Sequence, residues 1–440
     1  MQRLKVLASL LTLALLLTAG AAQAQVDTGS ANFTRYVAFG DSLTAGFNSG
    51  SLVRTFQNNS YPVLIYRQAT GKTTGFEQPL VSEPGIPSIL TLQSIVPRVV
   101  IVPAGGQGQP VNLNLQRPYD NIAVPGARLH DLLATTSGGL HDLVLRGLGF
   151  TQLQQGLSLQ PTFATLWIGN NDVLGAATSG IVIEGVTLTP AAQFDAEYRQ
   201  AAGAIASVGA KMAIANIPDV TSIPFVTTVS RFVTLPTGQT VTLVGPNGPL
   251  QAGDFVLLPA AADIAAGRGI PGVGPPLGDN QVLSAAEVAT IQDHINHYNA
   301  TISAVANERG AALVDANALL RQLATTGVNI GGITYRSSFL TGGVFSYDGV
   351  HPTAFGYAFI ANQFIDAINA KFGGEIPLVD LFPFVFGTNK AAKAAGGDTG
   401  FVFTEAARRS LLLSLGVPKW IVDGQPAPGK PHRPRRGGKG

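Results

Sequence analysis

The chain has 440 residues, 45% of them apolar and only 12% charged, with a formal net charge of +2. A charge this small leaves no electrostatic footprint for a nucleic-acid partner, while the apolar share is ample for a large core. With no cysteine anywhere, disulfides and a lipid-bearing cysteine are excluded, and a chain of this length needs neither to fold.

Taken in order, residues 1–24 read as a secretory signal. Arg3 and Lys5 make a positive start, Val6 to Thr18 an apolar stretch, and Ala22-Gln-Ala24 a small-x-small cleavage site. The apolar stretch is short for a bilayer span. The expected mature chain therefore starts at Gln25, is exported to the periplasm or beyond, and carries no transmembrane helix. Tyr36 to Phe39 is an apolar, β-branched and aromatic run that predicts a buried strand. It stops at Gly40-Asp41-Ser42, two of which are good helix caps, and a helix is expected from Leu43. The start of a helix there would favour negative charge beside the Ser42 hydroxyl.

Residues 73–114 are rich in Pro, Gly and Gln without a clear period and are expected to be a surface insertion, with one strand near Arg98 to Val102. Tyr119 to Val124 predicts a brief strand ending at Pro125-Gly126, and Phe163 to Ile168 a buried one closing at Gly169-Asn-Asn-Asp172. Thr189 before Pro190 marks a helix start, with Phe194, Tyr198, Ala202 and Ile205 on one face and Gly209 at the end. Met212 to Ile217 is the next strand. A second insertion, 221–278, holds a hairpin around Pro236-Thr-Gly238. Ser284-Ala-Ala-Glu287 is a capping box opening a helix that runs to about Gly310. Ala312 to Val314 predicts a strand and Thr353 to Lys371 a last long helix. After 376 the chain becomes an irregular extension with a short apolar helix, Glu405 to Leu415, and a basic tail from Pro431 whose composition suits disorder. Strands alternating with helices imply a parallel sheet covered on both faces, within one domain spanning 25–376.

In such sheets, sites form beyond the carboxyl ends of the strands. Ser42, Gly126 and Asn171 each follow a predicted strand, and Tyr347-Asp-Gly-Val-His-Pro-Thr353 precedes the last helix. A nucleophilic serine needs a base, a group that orients the base, and donors where negative charge develops. His351 is a candidate base. Asp348, three residues earlier and followed by Gly349, can fold back onto one ring nitrogen while the other faces Ser42. The N–H groups of Ser42 and Gly126, with the Asn171 amide, are candidate oxyanion donors, each typically worth about 10²–10³ in rate. Singly, Gly126 is a turn glycine, Asn171 a helix start and Asp348 with His351 a surface turn. Jointly, their order and strand-end placement point to catalysis. His294 and His297 have the i, i+3 spacing of a metal pair, but the apolar stripe of their helix puts His297 away from the core and His294 on its flank. His130 and His141 have no ligand-type partner nearby in sequence. No Gly-x-Ser-x-Gly occurs, which argues against the α/β-hydrolase elbow.

These four stretches resemble the four sequence blocks of the SGNH/GDSL hydrolases: Phe39-Gly-Asp-Ser-Leu43, Asn121-Ile-Ala-Val-Pro-Gly126, Gly169-Asn-Asn-Asp172 and Asp348-Gly-Val-His351. The resemblance implies a flavodoxin-like three-layer α/β/α fold, here with two long loop insertions, and ester hydrolysis without metal or cofactor. It makes Ser42 the nucleophile, His351 the base, Asp348 its partner, and Gly126 and Asn171 oxyanion donors. Pro125 before the glycine and the length of the insertions depart from a compact member and bear on the width of the site. The expected substrate is a small-molecule or lipid ester, the apolar composition favouring acyl lipids over the O-acyl groups of a polysaccharide. A non-catalytic binding protein on the same fold is the remaining reading, which the intact site residues oppose.

Overall fold

The computed structural model describes residues 25–94, 99–384, 401–415 and 417–425. The signal-like start, the Ala/Gly/Lys-rich stretch after 384 and the basic tail lie outside these. Along the chain, strand β1 (Tyr36–Gly40) leads into one helical turn, α1 (Ser42–Ala45), and then helix α2 (Tyr61–Thr70). Strands β2 (Leu90–Ser94) and β3 (Val99–Pro103) follow, then β4 (Phe163–Trp167), α3 (Asn171–Ser179), α4 (Ala191–Ser207) and β5 (Lys211–Ala215). The second half comprises β6 (Phe232–Thr234), β7 (Thr240–Thr242), α5 (Ala285–Glu308), β8 (Ala312–Val314) and α6 (Ala354–Phe372). The described chain closes with β9 (Phe401–Phe403), α7 (Glu405–Ser414) and α8 (Lys419–Val422).

The central sheet is parallel throughout, in the order β1-β4-β5-β8. Residues 120–124 line the outer edge of β1. The Ala38 N–H donates to Asp120 O (2.8 Å), Ile122 N–H to Ala38 O (3.0 Å) and Val124 N–H to Gly40 O (3.2 Å). The predicted strand at 119–124 is thus present as an edge pairing, registered through Ala38 and Asn121, rather than as a regular strand. Counting it second, the spatial order is 2-1-3-4-5, the flavodoxin-like doubly wound arrangement. Helices on both faces make three layers, α/β/α.

Alternation along the strands decides what each face meets. Val37, Phe39, Ala164, Leu166, Met212 and Ile214 point into a core shared with α3, α4 and α5. Their neighbours Tyr36, Ala38, Phe163, Trp167, Ala213 and Ala215 point to the other side, against α2 and α6. The small alanines on that second face leave depth for aromatic rings. Tyr61 of α2 stacks on Phe364 of α6 with centroids 4.5 Å apart, and both pack against Trp167. A strand buried on both faces is apolar at nearly every position, which is why these segments read as almost continuous runs, Thr165 being accommodated by its hydrogen bond with the Tyr36 hydroxyl.

Several sequence expectations shift. The helix beginning at Ser42 lasts one turn and ends at Gly46 in the left-handed region, so the summed dipole expected beside Ser42 is replaced by a few orphan N–H groups. Helix α4 starts one residue later than expected: Pro190 is its cap, without a side-chain hydrogen bond, and Thr189 bonds elsewhere. The 73–114 insertion is not wholly superficial. β2 and β3 form a hairpin whose Leu90, Val99 and Ile101 join the main core, and β9 from the far end of the chain pairs parallel with β3. The second insertion carries the expected hairpin, β6 with β7. The capping box at α5 forms as written, Ser284 Oγ and Glu287 reaching each other's backbone N–H.

Candidate active site

Four loops meet at the carboxyl ends of β1, β4 and β5. Asp41 caps α1 by accepting from the Leu43 N–H, which puts Ser42 at the first helical position. Thr353 caps α6, fixing the 347–353 loop so that His351 stands two residues ahead of the cap. The His351 Nε2 lies 2.9 Å from Ser42 Oγ, and its Nδ1 lies 2.8 Å from Asp348 Oδ2. The three residues are 5%, 1% and 0% exposed. Gly349 makes this bend possible with φ +72°, and a Cβ there would press on Phe225 N at 3.1 Å and Leu258 at 3.0 Å.

Asp348 is held by far more than the ring. Its Oδ2 also accepts from the Gly50 N–H (2.8 Å), and its Oδ1 accepts from Ser346 Oγ (3.1 Å), the Val350 N–H (2.9 Å) and the His351 N–H (2.8 Å). Burial pushes the carboxyl upward, but the adjacent His351 charge and these hydrogen bonds outweigh it and hold Asp348 below the usual carboxylate range. An ionised Asp348 requires the His351 proton on Nδ1, which leaves Nε2 as acceptor for the Ser42 hydroxyl.

Gly126 and Asn171 are brought to the same rim. Val124 N–H and Gln152 Nε2 both donate to Gly40 O, so the segment leading to Gly126 runs beside the one leading to Ser42. Gly126 is left-handed, φ +81°. Asn171 Nδ2 donates to Ala127 O at 2.9 Å, tying the glycine's neighbour to α3 and leaving its second amide hydrogen available. Among the described residues, neither the Ser42 nor the Gly126 N–H donates to a protein acceptor. Two backbone N–H groups without a protein acceptor and one side-chain amide thus stand on loops joined at this sheet edge, the donor types that developing negative charge needs.

Sequence reasoning missed the residues that brace these groups. Asn48-Ser49-Gly50, a turn cluster two residues after Gly46, clamps the histidine loop: Asn48 Nδ2 donates to Pro352 O (2.8 Å) and the Ser49 N–H to Ser346 Oγ (2.9 Å). Asp41 Oδ2 accepts from Asn170 Nδ2 (2.8 Å), joining the serine loop to the asparagine loop. Asp172 accepts from the Leu129 N–H (2.9 Å) and Thr189 Oγ1 (2.6 Å). The only signal for these was their position beside the candidate residues. His130, expected to lack a partner, lies 2.8 Å from Glu197, a carboxylate 67 residues away that folding supplies. His294 bonds Thr290 O on its own helix and His297 is exposed.

Burial pushes Asp172 up to about 7 and Asp41 up to about 6, against the hydrogen bonds each accepts. A folded-state value above the unfolded one means that the native chain holds protons which the unfolded chain, titrating near ~3.9, has released. Stability contributed this way is present in acid and declines as pH rises from about 4 through about 7. Asp172→Asn keeps the Leu129 bond through its carbonyl and can donate to Thr189. Thermal melts of this variant should lose less between pH 5 and 8 than wild type; equal slopes would show that Asp172 is ionised throughout.

The sequence profile of GDSL-like lipases and acylhydrolases matches residues 36–364, which contain all four loops. The chain belongs to the GDSL-like lipase/acylhydrolase family. Membership makes it an ester hydrolase. No curated protein matches the sequence significantly. Among solved structures, this GDSL-family chain is similar to LAE5, described as an α/β hydrolase enzyme from the metagenome of Lake Arreo, Spain. That pair shares 13% identity and a TM-score of 0.37 over 78% of this chain and 97% of the other. A variant of Axe2, an acetyl xylan esterase from Geobacillus stearothermophilus, shares 12% identity with a TM-score of 0.36, over 80% of this chain and 99% of that one.

Proposed function

We propose that the chain is an exported serine esterase that cleaves carboxylic esters of extended acyl chains, with Ser42 as nucleophile. The observation that carries this reading is the unbroken buried relay from Ser42 Oγ through the His351 ring to Asp348. As Ser42 Oγ attacks the ester carbonyl, His351 Nε2 takes its proton, and the carbonyl oxygen, now negative, turns to the N–H groups of Ser42 and Gly126 and the Asn171 amide. Collapse expels the alcohol, which receives the proton from Nε2, and leaves an acyl group on Ser42. Water, deprotonated by the same nitrogen, then releases the acid and restores the hydroxyl. Asp348 stays ionised throughout, orienting the ring and offsetting its positive charge.

The preference for extended acyl chains rests on an apolar cleft whose wall includes Leu43, next to the nucleophile in sequence, and Val350 and Pro352, on either side of His351. Trp167, Ile223 and Phe359 continue it. A methylene moved from water into such a wall gains about 0.8 kcal/mol, so kcat/KM should rise at least ~tenfold from p-nitrophenyl acetate to the octanoate. A fluorophosphonate should label Ser42 in wild type and leave the Ser42→Ala variant unmodified. Deacetylation of acetylated xylan outrunning octanoate hydrolysis would move the substrate to polysaccharide O-acyl groups. Absence of labelling and of turnover would leave a binding protein.

A further inference from the structure

We infer that the two insertions, 73–114 and 221–278, are the positioning elements of the catalytic base, each gripping the loop that carries Asp348 and His351 at a different set of atoms. The inference rests on Ser42 as nucleophile and His351 as base, and adds what fixes the ring against the hydroxyl. Within the loop, the Ser346 N–H donates to His351 O (2.8 Å) and the Gly349 N–H to Ser346 O (3.0 Å). These bonds fix the loop's own shape. They do not fix where it stands relative to Ser42, which belongs to another loop, and a reacting group displaced by about 1 Å can cost about 10² in rate. Beyond the cap at Thr353, that placement has to come from outside the loop.

The first grip runs through residues 48–50. Asn48 and Ser49 bond Pro352 and Ser346, and the Gly50 N–H reaches the same Asp348 Oδ2 that holds the His351 ring. Ser49 is buried with φ +49°, a left-handed conformation that a residue with a Cβ keeps only where its surroundings impose it. The first insertion imposes it. The Leu90 N–H donates to Ser49 O (2.9 Å), Leu52 and Ile86 exchange N–H···O bonds (both 3.0 Å), and the Arg54 N–H donates to Val81 O (2.7 Å). The Leu90 side chain closes on Gly50, 3.5 Å from where a Cβ would stand. The second grip is on Gly349, between Asp348 and His351. The Phe225 N–H donates to Gly349 O (2.9 Å), and Leu258 lies against the glycine, 3.0 Å from where its Cβ would stand. Phe225, Leu257 and Leu258 are buried in one cluster with Val350. The second insertion also has a small core of its own, built from Leu243, Leu250, Val256 and Leu277, which backs this contact. Neither insertion supplies a group to the relay. Both end on the atoms that flank it.

The test uses the full-length protein. Leu258→Ala and Leu90→Ala loosen the two grips without changing a reacting group. Each should lower kcat on p-nitrophenyl octanoate about tenfold or more, with KM within about twofold of wild type. Both should also shift the downfield proton resonance of His351 Nδ1–H, which reports the bond to Asp348. Ile302→Ala, at a fully buried position of α5, controls for lost packing. It should lower the melting temperature comparably and leave kcat and that resonance as in wild type. Leu258→Val and Leu90→Val carry the same readouts, with smaller changes, where the alanine variants fail to fold. Wild-type kcat and resonance in the folded insertion variants would overturn the inference, and so would an equal change of both in Ile302→Ala. Absence of fluorophosphonate labelling of Ser42 in the wild type would instead remove the nucleophile on which the inference rests.

Discussion

Ser42→Ala should lose ester hydrolysis by about 10⁶ in kcat and still melt within a few degrees of wild type. The size follows from what the hydroxyl does: without it no acyl-enzyme forms, and the oxyanion donors and the bound ester supply only a residual rate over water. The small change in stability follows from what the hydroxyl touches. Its one side-chain partner is His351 Nε2, a ring still fixed from the other side by Asp348, so the loss is one hydrogen bond, about 1 kcal/mol. α1 keeps its cap, because that role belongs to Asp41. Product release from p-nitrophenyl octanoate, read beside a thermal melt, checks both halves. Turnover within tenfold of wild type by a folded variant would dismiss Ser42.

The second large effect is expected from Asp348→Asn, which should cost about 10⁴ in kcat and also destabilise the fold. Asp348 accepts five hydrogen bonds, from Gly50, Ser346, Val350 and twice from His351. An asparagine has one oxygen to offer. If that oxygen faces the Val350 and His351 N–H groups, its NH₂ points at the Gly50 N–H and at the His351 ring. The ring then turns its unprotonated nitrogen to the amide and its proton toward Ser42, the wrong tautomer for a base. The Gly50 N–H is left buried without an acceptor, worth about 1–3 kcal/mol. The pH dependence separates this from a plain packing defect. Asp348 lies below the usual carboxylate range in the folded chain, so its stabilisation is present above the unfolded value of ~3.9 and is lost as pH falls through the folded value. The gap in melting temperature between wild type and Asp348→Asn should therefore narrow below about pH 4. A gap that stays constant into strong acid would mean that the carboxylate charge contributes nothing.

These acid-side and neutral-side effects have opposite signs for a structural reason. Asp348 accepts five hydrogen bonds, one of them from the His351 ring, whereas Asp172 and Asp41 accept fewer, and the charges of Arg128 near Asp172 and of His351 near Asp41 offset their burial only in part. The same residue type, equally buried, is thereby stabilised in its charged form at one position and in its neutral form at the other two. Sequence distinguishes none of this, because the donors that matter come from Gly50, Asn170, Leu129 and Thr189, each from a separate loop.

What sequence alone determined was periodic or local. Continuous apolar runs marked β1, β4, β5 and β8, since the strands of a parallel sheet covered on both faces are predominantly apolar. The capping box at Ser284 announced α5, and the strand-end positions of Ser42, Gly126 and Asn171 followed from the rule that parallel sheets leave their carboxyl edge open. What only the tertiary structure decided was everything that depends on distant segments meeting. The clamp of residues 48–50 on the histidine loop, the pairing of 120–124 with β1, the burial of the β2–β3 hairpin and the packing of α7 into the main core join residues tens to hundreds of positions apart. Such contacts leave no period and no local motif, because their free energy arises from desolvation and hydrogen bonds that exist only once the sheet has brought the loops to one edge.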